Sequence, residues 1–333
     1  MRRVVIVGAG FFGGLVAEQL RQDGLAPIIA ARRGGDLRLD AEDEVQVASV
    51  LAPGDVVVDA AGPFAERSTR LLRQAIERGC DVVDLSESLA WSEAVLALDA
   101  HARASGSSVF IACSAVSAVT GACVRASGLG APDRVDQFLA PASAETASRA
   151  TRDAFARSLG RHIRTLRAGR LVQTRGFGET KTFPDGRRRG GLVEHAGAVL
   201  LPRAWGTLRD ADFWVDPNTP LGGAALALAA RAAPLAAAAR AVVRRIAPGP
   251  FGGHDGVFAV SVREGPRERS FTFSAARRSY LIAAVPAAMV AGALARGRRA
   301  GPGIVLPDQQ VDPDELFGRF RSLGIRITAA RGR

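Results

Sequence analysis

The stretch Val4-Val5-Ile6-Val7-Gly8-Ala9-Gly10-Phe11-Phe12-Gly13-Gly14-Leu15-Val16 restricts the fold more than any other part of the chain. A β-rich run meets Gly8, Gly10 and Gly13 in G-x-G-x-x-G spacing. Helical periodicity then covers residues 11–22, with Phe12, Leu15, Val16 and Leu20 on one face. In such a loop Gly8 permits a tight turn, Gly10 leaves the backbone open to a pyrophosphate, and Gly13 lets helix and strand pack closely. The free N–H groups and positive dipole end of the helix then face the phosphates. Phe11 and Phe12 lie inside the same loop.

The next hundred residues keep the alternation that this unit needs. Strands are predicted at Pro27–Ala31, weakly at Glu44–Ala48, then at Asp55–Ala60, Cys80–Glu87 and Ser108–Ala112. Helices are predicted over Glu66–Arg78, closed by Gly79, and over Trp91–Ala104. The segment between the second and third strong strands is short, so the usual helix there is expected to be missing. Alternating strands and helices imply a Rossmann-type, doubly wound parallel sheet. Beyond Ser114 the pattern changes. Ser143–Leu166 is polar, Arg-rich and helical in spacing; strands come next around a Pro184-Asp185-Gly186 turn, and a hairpin turns at Glu264-Gly265-Pro266. The expected α/β organisation is a dinucleotide-binding domain over residues 1–115 and a second, α+β domain over 116–295 for substrate and dimerisation. A strand-helix-strand over 296–333 would return to pack on the first domain.

The second strand ends in "IIAARRGG", residues 28–35. An acid there would bind a ribose 2′-hydroxyl and repel a 2′-phosphate. Arg32 and Arg33 reverse that preference, because a guanidinium grips phosphate through paired N–H groups and stacks on adenine. The reading is NADP. "DVVVDAAGPF" places the small residues Ala61 and Gly62, then Pro63, at a strand's carboxyl end, where ligands of open α/β sheets lie. "DVVDLSE" ends the next strand in Asp84, Ser86 and Glu87, close to where the nicotinamide would end and a substrate begin.

Composition narrows the partners. The formal net charge is +11, yet all but one of the 44 basic residues are arginine, and aromatics are 6%. The arginines are scattered and no basic stripe interleaves with aromatics, so no nucleic-acid partner is expected. Cys80, Cys113 and Cys123 are far apart and show no metal-ligand spacing with one another or with the four histidines. A reducing, cytoplasmic setting is expected. Tyr280–Ala295 is too short to span a bilayer, and Leu221–Val243 is interrupted by Arg231, Pro234 and Arg240, so no membrane partner is expected.

Reduction by a nicotinamide cofactor usually needs a proton donor. Lys181, the single lysine, is a candidate because lysine titrates where arginine does not. Tyr280, the single tyrosine, is a second, and His195 and His254 are plausible acids, His195 in the substrate pocket.

The glycine loop, the arginine-ended strand and the two strand-end motifs together resemble the NADP-binding domain of the saccharopine dehydrogenase-like family. The likeness is good over residues 1–115 and weaker beyond, where "SYLIAAVPAAMVAGAL", "GIVLPDQQ" and "LFGRFRSLGIRI" are similar to the C-terminal part of short bacterial members. The resemblance implies cofactor contacts at Gly8, Gly10, Gly13, Arg32, Gly62 and Pro63, and carries over no catalytic residue. It implies an NADP-dependent oxidoreductase that passes hydride to a C=N or C=C bond of a small-molecule or acyl substrate. Separately, the apolar tail helix, with Leu316, Phe317, Phe320 and Leu323, is open to packing on the Rossmann domain or on a second subunit, a homodimer. Two rival readings stay open: a non-catalytic NADP-binding sensor, and a non-redox enzyme that retains its nucleotide.

Overall fold

The computed structural model describes residues 1–146, 149–219, 222–245 and 252–332. Leu221, the first residue of the Ala-rich stretch, and Arg333, the last of the C-terminal segment, lie outside the described residues. The chain divides into two compact units, Met1–Gly121 with Ala283–Asp312, and Ala122–Ile282 with Pro313–Arg333.

The first unit is a parallel sheet. Its strands are β1 (Val4–Val7), β2 (Ile28–Ala31), β3 (Leu37–Arg38), β4 (Val56–Asp59), β5 (Asp81–Asp84) and β6 (Ser108–Phe110), completed by a late strand, Gly303–Val305. The order is Gly303–Val305, β6, β5, β4, β1, β2, β3. Connections run one way from β1 to β3 and the other way from β4 to β6, so the order reverses between β1 and β4, the place where such sheets open a crevice. β1, β4 and β5 are buried throughout, as expected of β-branched runs covered on both faces. Helix α1 (Phe11–Gln22) buries Leu15, Val16, Ala17 and Leu20.

One expectation is overturned here. Residues Glu44–Val50 form a helix, not a weak strand, so the connection between β2 and β4 has its helix after all. The Asp43 carboxylate caps it, accepting from the N–H groups of Val45 and Gln46.

The second unit holds β7 (Arg134–Ala140), β8 (His162–Arg167), β9 (Arg170–Arg175), β10 (Thr180–Thr182), β11 (Arg189–Val193), β12 (Asp210–Val215), β13 (Gly256–Glu264) and β14 (Arg267–Ala275). With the Gly303–Val305 strand numbered β15, the last is β16 (Arg326–Arg331). The sheet runs β10-β11-β12-β7-β13-β14-β16, with β8 and β9 joined to it through β12. β7 and β12 are parallel; the remaining neighbours are antiparallel. One face packs Phe138, Phe183, Leu192, Trp214 and Ala259 together. Within the expected long helix over Ser143–Leu166, the described residues Ser143–Thr146 and Arg149–Ser158 are helical, but from His162 the chain is strand β8 instead. Gly160, with φ +66°, ends the helical course, and pairing with β9 draws the next residues into the sheet.

The C-terminal segment is divided between the units. β15 extends the first sheet beside β6. Helix Pro313–Ser322 and β16 belong to the second, where Phe317 and Phe320 lie with ring centroids 5.5 and 5.6 Å from Phe273.

Candidate nucleotide-binding site

The three glycines of the loop are glycines for different reasons. Gly8 has φ +113°, and a Cβ there would stand 2.7 Å from the Ala60 carbonyl oxygen. A Cβ on Gly13 would lie 2.0 Å from the Gly8 carbonyl oxygen. Both are required by the fold. A Cβ on Gly10 would meet nothing within 4 Å, and its backbone is ordinary extended chain at φ −75°. No protein atom stands where a side chain on Gly10 would project. Gly10 also caps α1 without any side-chain hydrogen bond, so the first-turn N–H groups keep their capacity for an anion. Phe11 and Phe12 stand edge to face at 5.3 Å behind this opening.

At the end of β2, Arg32 and Arg33 are exposed and neither has a hydrogen-bond or ion-pair partner among the described residues. The nearest acid in sequence, Asp36, is committed elsewhere: its carboxylate accepts from the Ile29 N–H at 2.8 Å. Two free guanidinium groups therefore stand where a ribose-binding acid would be.

The Ala61-Gly62-Pro63 segment follows β4 and contains a cis Gly62–Pro63 bond. It is held from behind. Fully buried Asp59 accepts from the Ala61 N–H at 3.1 Å, and Arg67 donates to the Ala61 carbonyl at 2.5 Å. Arg67 also clasps Asp59 through both terminal nitrogens and lies over the rings of Phe64 and Trp91, at 5.5 and 5.2 Å from their centroids. Sequence reasoning singles out none of Asp59, Arg67 and Trp91.

Asp84 lies beside Asp59 in register at the ends of β5 and β4. It is fully buried and accepts from the N–H groups of Ser86 (2.9 Å) and Ala112 (3.3 Å) and from the Trp91 indole (3.2 Å). Burial, then the charge of Asp59, pushes its carboxyl up to about 7. The Ser86 hydroxyl accepts from the Ser88 N–H, and Glu87 takes hydrogen bonds from the Ser114 hydroxyl and the Val116 N–H. Burial raises the Glu87 carboxyl, while those two hydrogen bonds oppose the rise. Val116 belongs to a π-helical turn, Ala115–Val119, of the kind that marks functional segments in other helices. Asp84, Ser86 and Glu87 are thus gathered at one end of the first sheet. Asp84 and Ser86 also order the backbone around them.

The remaining candidates lie in the second unit. The Lys181 ammonium is 2.6 Å from Asp136 and 5.9 Å from the Trp214 ring centroid. Asp136 also accepts from Arg134 and from the Trp214 indole. Burial would raise Asp136, but Arg134 and Lys181 override it and hold the carboxyl below its usual range. Asp212, its register neighbour, is fully buried against Arg134, Arg167 and Thr165. Lys181 is therefore one member of a salt-bridged network across the sheet. His195 is fully buried, with Nε2 3.2 Å from the Ala211 carbonyl oxygen, and burial pushes its imidazole down to about 4. The enclosed ring packs against Phe213, with centroids 5.7 Å apart. Tyr280 is half-buried in the turn before helix Leu281–Ala295, and exposed His254 sits 3.5 Å from Glu145.

The first unit thus presents a glycine cradle, a helix N-terminal turn without a side-chain cap and two unpaired arginines, a donor set that fits a nicotinamide dinucleotide. Residues 4–110 match the family model of the saccharopine dehydrogenase NADP binding domain. Among curated proteins none matches the sequence. Solved structures are similar in fold alone. GenD2 from gentamicin A biosynthesis, in complex with NAD, is 17% identical with TM-score 0.45, over 100% of this chain and 97% of that one. A dehydrogenase from Chromobacterium violaceum is 12% identical with TM-score 0.42, over 97% and 93%. An inositol dehydrogenase homologue from Azotobacter vinelandii, complexed with NADH and myo-inositol, is 12% identical with TM-score 0.38, over 99% and 97%. No helix among the described residues is long and apolar enough to cross a membrane.

Proposed function

We propose that this chain, with its saccharopine dehydrogenase-type nucleotide domain, is an NADP-dependent oxidoreductase acting on a small-molecule or acyl substrate, and that it reduces a C=N or C=C bond. The observation that carries the reading is Gly10. It is a glycine for which the protein itself has no steric use, at the free end of α1.

In this reading the α1 N-terminal turn holds the pyrophosphate, with Gly8, Gly10 and Gly13 keeping the approach open and Phe11 and Phe12 backing it. Arg32, with Arg33 beside it, holds the 2′-phosphate. Ala61, Gly62 and Pro63 give a floor without bulky side chains, kept in place by Asp59 and Arg67. Bound there, the dinucleotide supplies a hydride. Asp84, Ser86 and Glu87 border the reacting end; Glu87, whose carboxyl burial raises, is less enclosed than Asp84 and is the acid of the two more open to a substrate. Lys181 and Tyr280 belong to the substrate side; the close ion pair to Asp136 favours Lys181 as a positioning cation over a proton donor.

The test is NADPH oxidation against a panel of imines and enoyl thioesters, run beside a binding titration. Saturable NADPH binding with turnover on one class supports the reading and selects the bond. Tight binding with no oxidation on either class overturns it in favour of a binding-only protein.

A further inference from the structure

The excess positive charge is not spread over the molecule. Residues 149–175 and 222–245 hold 12 of the 44 basic side chains and one acid, Asp153, of 33. Their net charge is +11, that of the whole chain, and the remaining 32 basic and 32 acidic residues balance.

The two segments are neighbours within the second unit. Arg175 at the end of β9 donates to the carbonyls of Ala230 and Arg231, and Arg240 donates to the Leu159 carbonyl. Arg244 stands 3.5 Å from Asp153. Some of the charge is met by acids from outside the segments, with Glu194 beside Arg164, and Glu179 and Asp212 beside Arg167. Arg161, Arg170, Arg231 and Arg245 are exposed and have no such partner among the described residues.

The same lobe exposes apolar side chains. Of the eight large hydrophobic residues that stand exposed among the described residues, five are here: Leu171, Val172, Leu228, Leu235 and Val242. On helix Ala233–Arg245 the packed side centres on Ala236, while Leu235, Ala238, Val242 and Arg245 recur at helical spacing on the open side.

We infer that this lobe docks on an anionic lipid surface, the guanidinium groups lying at the level of the headgroup phosphates and the aliphatic side chains entering the layer beneath. Charge complementarity selects a polyanionic partner. The aliphatic groups of the two helices, interleaved with arginine, suit a headgroup layer. Single-stranded nucleic acid would instead call for exposed aromatic rings on which bases stack. A second copy of the chain is disfavoured, because two surfaces carrying the same unpaired arginines repel. Adsorption of this kind needs no spanning helix, and none is present among the described residues.

The experiment is co-sedimentation of the full chain with vesicles of equimolar phosphatidylglycerol and phosphatidylcholine, against phosphatidylcholine alone, at rising salt. Two variants accompany the parent. One combines Leu228→Ser, Leu235→Ser and Val242→Ser; the other combines Arg161→Gln, Arg170→Gln, Arg231→Gln and Arg245→Gln. The parent should partition onto the anionic vesicles and be released by salt, and each variant should lose at least about ten-fold in partitioning. Both variants should keep the parent's NADPH affinity and thermal midpoint, which separates lost docking from lost folding and from failure of the nucleotide reading. No partitioning of the parent at low salt overturns the inference. So does an unchanged serine variant together with equal capture of the parent by soluble polyglutamate, which would assign the surface to an acidic protein. Self-association of the parent that either variant abolishes would assign it to a second copy, and overturns the inference as well.

Discussion

Arg67 and Asp59 meet face to face, Nη1 to Oδ1 at 2.9 Å and Nη2 to Oδ2 at 3.1 Å, with Asp59 fully buried and Arg67 nearly so. The pair stands directly behind the Ala61-Gly62-Pro63 floor of the nucleotide site. Removing the arginine strands a carboxylate in a dry sheet end, which typically costs about 3–5 kcal/mol. Arg67→Met should therefore lower stability in urea by that order. Adding Asp59→Asn should recover more than half of the loss, because no charge then remains unpaired. Additive effects in this cycle would show that the two residues do not act as a pair.

Gly10 and Gly13 separate ligand from fold. Gly10→Ala should leave the denaturation midpoint close to the parent's, at a capping cost of no more than about 1 kcal/mol, while weakening NADPH binding at least about ten-fold. Gly13→Ala drives a methyl into the Gly8 carbonyl and should destabilise by about 1–3 kcal/mol or more, whatever ligand is added. Equal losses of stability in the two variants would remove the steric distinction between them.

Asp84 makes stability depend on pH. Its folded-state carboxyl titrates at about 7, pushed up by burial and then by Asp59. In the unfolded chain an aspartate titrates at about 4. Between these values the folded protein keeps a proton that the unfolded chain has released, so stability falls as pH rises through the window and the loss is complete above 7. The stability advantage of the parent over Asp84→Asn should shrink between acid and pH 8 by up to about 4 kcal/mol. A pH-independent difference between the two would contradict this environment for Asp84.

Lys181 is tested by splitting stability from turnover. Lys181→Met removes one of the cations at Asp136 and leaves Arg134 and the Trp214 indole in place. Because the ammonium is partly exposed, the loss at neutral pH should be about 1 kcal/mol. Asp136 is held below its usual range, so that loss should fade as pH drops through the carboxylate range and the acid protonates in both variants. Lys181→Arg should behave as the parent. A large fall in kcat in both variants, at unchanged stability, would make Lys181 the proton donor instead.

What the sequence disclosed and what it hid have physical causes. The glycine loop was legible because Gly8 and Gly13 answer to steric demands with few solutions, and the β-branched runs at β1, β4 and β5 are buried on both faces. The helix at Glu44–Val50 was not, because its seven residues bury Val47 alone and depend on the Asp43 cap rather than on an apolar stripe. β8 was lost inside an arginine-rich stretch, because what makes His162–Arg167 a strand is long-range pairing with β9 and β12. Arg67 was invisible for a compositional reason: one buried, ion-paired guanidinium among 43 arginines carries no signal until Asp59, Phe64 and Trp91 are seen around it. Asp84, Ser86 and Glu87 were placed by the rule that strand ends line the crevice, which gives position but not chemistry.

Arg32 and Arg33 stand free at the end of β2 in place of an acid, and the proposed NADP preference rests on them. The most direct measurement is a paired titration of NADPH and NADH against the parent and Arg32→Asp. An NADP site predicts that the variant loses at least about ten-fold in NADPH affinity, the worth of a charge-assisted phosphate contact, and that its preference over NADH narrows or reverses. Unchanged binding of both cofactors to Arg32→Asp would contradict it.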